Sequence, residues 1–94
     1  MIEPPPFKAD EALQRLKREL RELGLAEREG RFERRGLAIA KAALAGEAIA
    51  AARVKRPSRN SPEWQPRTLR SHAELRDFVT QLKQLLAQWS DRDD

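Results

Sequence analysis

Both ends of this chain are written as amphipathic helices with legible starts and stops, which confines the rest of the fold to the stretch between Leu25 and Arg70. At the N-terminal end Asp10 is placed to cap a helix, and Glu11 suits the positive end of its dipole. Leu13, Leu16, Leu20 and Leu23 then recur at spacings of three and four, which builds one narrow apolar stripe. Gly24 can take the left-handed position past the helix end, and Leu25 can fold back on the last turn as in a Schellman motif. At the other end Ser71-His72-Ala73-Glu74 is a capping box, in which serine and glutamate side chains satisfy amide donors that the first turn leaves unpaired. Leu75, Phe78, Val79, Leu82, Leu85, Leu86 and Trp89 follow on one broad face. Asp91, Asp93 and Asp94 oppose the dipole at a helix C-terminus, so the helix is expected to end near Ser90 and residues 91–94 to form a disordered acidic tail. Pro4-Pro5-Pro6 cannot enter a helix or sheet, and residues 1–8 read as a flexible arm, with Phe7 turned back on the first helix.

The centre is rich in alanine, which favours helix by propensity, and a helix interrupted at Gly46 is one reading of it. The apolar pattern points elsewhere. Leu37, Ile39 and Lys41 alternate with Ala38, Ala40 and Ala42, a period of two, and no helical stripe joins Leu37, Ile39, Leu44, Ile49 and Val54. Strands are therefore expected over about 31–43 and 48–56, with Ala45-Gly46 as the hairpin turn. That turn sets Leu37 opposite Val54 and Ile39 opposite Ala52 on one face, with Arg53 and Lys55 on the other. Phe32 falls out of phase with Leu37, which predicts a bulge near Gly36. Residues 57–66 hold three prolines among small polar residues and read as a loop. Residues 67–70 make a short third strand with Leu69 inward. The expected fold class is α+β: a helix, an antiparallel β-hairpin with a third short strand, and a C-terminal helix, both helices lying on one sheet face.

A chain of 94 residues is one small domain. Its core is thinner than 39% hydrophobic residues suggests, because fourteen of them are alanine. Self-association would widen the stability margin, so a homodimer is a natural expectation. With no cysteine there is no disulfide framework, thiolate nucleophile or cysteine zinc site. The start lacks the charged and then apolar run of a signal peptide, and no apolar run is long enough to span a bilayer, so the chain is read as cytoplasmic. Arginine outnumbers lysine fourteen to five, which with the alanine content fits a bacterial genome rich in G and C.

Charge is unevenly placed. Residues 28–70 hold eleven Arg or Lys against four Glu, net +7, while residues 1–27 come to −1 and 71–94 to −2, which together give the whole-chain +4. A regional excess of this kind suits a surface that meets something anionic. Arg53, Lys55, Arg56, Arg59, Arg67 and Arg70 surround Trp64 with Glu63 as the one acid, supplying cations for phosphates and a flat ring for base stacking. The bland alternative makes Trp64 a core anchor and the arginines a solvated loop. Arg28, Arg31, Arg34 and Arg35 stand beside Glu27, Glu29 and Glu33 and read as an ordinary mixed charged face.

Catalytic chemistry finds little purchase. His72 is the only histidine and follows a cap, Ser71 is accounted for by capping, and no acid pair, glycine-rich phosphate loop or metal set emerges. No family motif emerges either. The expected function is a non-enzymatic binding module without cofactor or metal, whose basic sheet face and 57–66 loop contact nucleic-acid phosphates with low sequence specificity. The alternative is a homodimeric interaction or structural module that uses a helix stripe or sheet edge to dock an acidic protein partner.

Overall fold

The computed structural model of the chain describes residues 7–55 and 63–92. Two helices, α1 (Ala9–Glu22) and α2 (His72–Arg92), flank five strands: β1 (Ala26–Arg28), β2 (Arg31–Arg34), β3 (Leu37–Ala45), β4 (Ala48–Val54) and β5 (Trp64–Leu69). The strands form one antiparallel sheet in chain order, and both helices pack on the same face of it. The α+β class and the placement of the helices are as expected, and the sheet has more strands than the expected hairpin and third strand.

The helix ends follow the local chemistry closely. Past α1, the Gly24 amide donates to the Arg21 carbonyl at 3.0 Å and the Leu25 amide to the Leu20 carbonyl at 3.3 Å, the paired bonds of a Schellman motif. Gly24 makes this possible by taking φ +91°, and Leu25 is buried. The start of α1 is less conventional: Lys8 holds the cap position without a side-chain bond, and Asp10 instead accepts from the Glu11 amide at 2.9 Å inside the first turn. At α2 the Glu74 amide donates to Ser71 Oγ at 3.2 Å, while Glu74 Oε1 accepts from the Arg70 amide at 2.9 Å, so the box closes one residue further out. Phe7 reaches past α1 to meet His72 edge-on, with centroids 5.2 Å apart. The helix also runs on through Asp91 and Arg92, beyond the expected stop near Ser90.

The expected long strand over 31–43 is two strands. Arg35 and Gly36 take φ +54° and +79°, and Glu29 and Gly30 take +52° and +81°. Two consecutive positive-φ residues are the mark of the tight turn that matches the twist of a hairpin. The misreading has a physical source: Gly in a β pattern signals either a bulge or a turn, and the residue before it was not one that advertises positive φ. The β3–β4 turn falls at Gly46-Glu47, one residue later than expected, with Ala45 opposite Ala48. Trp64, Gln65 and Pro66 belong to β5 rather than to a loop, and Pro66 is tolerated because β5 is an edge.

One irregularity decides which residues face the helices. In a straight β3–β4 hairpin Ile39 and Ile49 lie on opposite faces, so one of them would be left outside. Register shifts by one residue where β2 meets β3: Phe32 pairs with Ala40 but Glu33 with Ala38, leaving Ile39 as an extra residue. The bulge turns Ile39 and Ala40 to the same side, and Phe32, Ile39, Ala40 and Ile49 are all within 1% of full burial. They join Ala42, Ala51 and Leu69 in a core with Leu13, Leu16 and Leu20 of α1 and Leu75, Phe78, Leu82 and Leu86 of α2. The leucine stripes of both helices are therefore spent inside the chain. Ala9 and Ala12 of α1 are buried in the same core, and α1 packs against β3 and β4.

Candidate nucleic-acid interface

The face of the sheet away from the helices carries a row of cross-strand neighbours: Arg28, Arg31, Lys41, Ala52 and Pro66, one from each strand in order. Directly paired residues share a face, so three cations stand side by side from β1 to β3. Arg28, Arg31 and Lys41 are exposed, and neither Arg28 nor Arg31 has an ion-pair partner among the described residues. Beside the row lies a shallow groove lined by Ala43, Ala50 and Ala52 together with Glu29, Arg31, Lys41 and Pro66.

Trp64 belongs to this face. It pairs with Val54 at one end of the β4–β5 ladder, and the Lys41 ammonium lies 4.5 Å from the centre of its ring. Reaching from β5 to β3 means passing over β4, and the residue in between is Ala52, whose single methyl leaves room for the indole. Ala52 and Val54 are buried without joining the helix-side core. The ring stands in register with buried Val54 and beside the Lys41 cation.

The other sequence-selected residues are scattered. Arg53 and Arg67 were expected on the free face, but they share the helix-side face with Ile49 and Ala51. Arg53 pairs with Ala40 and Gln65, and its Nη1 donates to the Val54 carbonyl at 3.3 Å. Arg67 lies beside α2, 3.9 Å from the Asp77 carboxylate and 3.5 Å from Gln81 Oε1. The cause of this inversion is the bulge: by drawing Ile39 in with Ile49 it makes the Ile49, Ala51, Arg53 side of β4 the inner one and sends Val54 outward. Lys55 pairs with Glu63 at 3.5 Å just past β4. Arg70 is exposed at the entrance to α2. Arg56 and Arg59 lie outside the described residues, as does most of the 57–66 loop.

Arg28 and Arg31 were missed because the acids beside them in sequence made the stretch look neutral, and Lys41 because it stands alone in an alanine-rich strand. The pleat sorts those signs only in part, because Glu33, two residues past Arg31 and paired with Ala26, shares the open face. Glu27 points to the helix side, where Lys17 at 3.3 Å and Arg21 at 3.9 Å neutralise it, while Arg28 and Arg31 face out. Pairing across a turn at Glu29-Gly30 was the signal that could have found them.

Among the described residues no group of three or more His, Cys, Asp or Glu could hold a metal ion, and no polar or charged side chain is buried. No helix is long and apolar enough to cross a membrane among those residues. No family model matches the chain, and comparison with curated proteins and with solved structures finds no significant match.

Proposed function

We propose that the chain is a small non-enzymatic binding module of the bacterial cytoplasm whose helix-free sheet face engages nucleic-acid phosphates with little base specificity. The observation that carries this reading is the row of Arg28, Arg31 and Lys41 on a face that neither helix covers, beside Trp64 and an alanine-lined groove. Guanidinium and ammonium groups bind phosphate oxygens through charge-assisted hydrogen bonds, and alanine lets a backbone approach without steric conflict. Lys55, Arg56, Arg59 and Arg70 extend the same basic segment in sequence.

Binding should be read by fluorescence anisotropy of labelled single- and double-stranded DNA and RNA across a salt series. Three phosphate contacts predict a slope of log K against log salt of about −2 for a single strand, and Arg31→Ala should reduce its magnitude by about 0.7. Absence of binding at low salt, or a slope unmoved by that substitution, removes the proposal.

A further inference from the structure

We infer that the ligand of the open face is single-stranded nucleic acid, bound by an exchange at Trp64 in which a phosphate draws the Lys41 ammonium off the indole and an unpaired base takes its place. The inference rests on the polyanion reading above and deepens it.

The argument starts from what occupies the ring. Neighbouring strands stand ~4.8 Å apart, so the backbones of β3 and β5 are separated by about 10 Å. Across that gap Trp64 and Lys41 meet over Ala52, with the ammonium 4.5 Å from the ring centre. Lys41, the group over that ring face, is exposed, and Trp64 itself is half-buried, so the contact lies at the solvent boundary. A π face held by an exposed cation is a stacking surface with a removable cover.

The exchange is favourable on magnitudes. An exposed cation–π contact is worth about 2- to 5-fold in an equilibrium, whereas a base stacked on an aromatic side chain is worth about 5- to 150-fold. The displaced ammonium is not stranded, since a phosphate joined to the stacked base lies within its reach, and Arg31 and Arg28 continue the row beyond it. A duplex cannot make the exchange, because its bases are stacked on one another and show only their edges and backbone. Single-strand selectivity therefore comes from the aromatic ring, and salt dependence from the row of cations.

The test uses Trp89→Phe protein, which leaves Trp64 as the one indole of two and replaces a half-buried ring with another ring. It is titrated at low salt with an oligothymidylate of about 12 nucleotides and with a duplex of equal length, each labelled so that anisotropy and indole emission are read together. The single strand is expected to bind and quench Trp64, and the duplex to bind at least about 5-fold more weakly without quenching. Trp64→Leu should weaken the single strand by about 5-fold or more and leave the duplex unchanged. Should that variant not fold, Lys41→Gln takes its place: quenching at saturation persists while the salt slope shrinks by about 0.7. Binding with unchanged emission, or a preference for duplex, overturns the exchange and leaves the polyanion reading standing. Binding of neither overturns both.

Discussion

The two faces of the sheet are built from nearly the same small residue and do opposite work. Ala40, Ala42 and Ala51 face the helices, and Ala43, Ala50 and Ala52 face away. What distinguishes the faces is the company those alanines keep. On one side they sit among Phe32, Ile39, Ile49 and Leu69, each within 1% of full burial, and two helices close over them. On the other they sit among Arg28, Arg31, Lys41 and Glu33, and Trp64 reaches across to Lys41. Alanine is small enough to be at home under a helix or in front of solvent, so a few large or charged residues set the polarity of the whole sheet.

That contrast can be broken most severely from the helix side. Leu82 is fully buried in the core, so Leu82→Asp places an unpaired charge there and should abolish cooperative unfolding and secondary structure by circular dichroism. A folded variant that merely changes oligomeric state would make the α2 stripe an interface instead. Next in size is Phe32→Ala, expected to cost about 3–5 kcal/mol in urea unfolding. Its neighbour Arg31 points the other way, which makes the pair a direct comparison of the two faces at adjacent positions. Gly36→Ala acts on the turn that splits the strand before both faces are laid out. At φ +79° the methyl meets open space but not an allowed backbone conformation, so a loss of about 1–2 kcal/mol is expected from thermal unfolding. The smallest effect on stability should be Arg31→Ala, within about 0.5 kcal/mol, while the same substitution weakens polyanion binding. Loss of stability at Arg31 comparable to that at Phe32 would show that the open face is structural.

Legibility varied with the range of the interactions involved. The Schellman ending at Gly24 and the box at Ser71 and Glu74 depend on residues within one turn, and both were readable before any fold was known. The strand character of the alanine-rich centre was readable from its period, although intrinsic propensity pulled toward helix. The tight turn at Arg35-Gly36 was visible only as a disturbance of phase. The candidate site was legible as a charge excess and as Trp64, while the assignment of cations to faces was not. Arg53 and Arg67 were expected to be displayed and lie on the helix side, whereas Arg28 and Arg31 were set aside and stand on the open face.

The amino-acid sequence by itself determined two helices, the Schellman stop of the first and the capping box of the second, an extended centre and a regional positive charge, because each follows from chemistry local to a few residues. Tertiary structure alone decided which side of each strand faces in. A pleat has a period of two, so one extra residue reverses every side chain beyond it. Here the extra residue is Ile39, and it is placed by the demand that Ile39 and Ile49 share a core under the same helices. That demand sends Val54 outward, brings Arg53 and Arg67 inward, and leaves Lys41 on the open face beside Arg28 and Arg31, whose charges looked balanced in the linear chain.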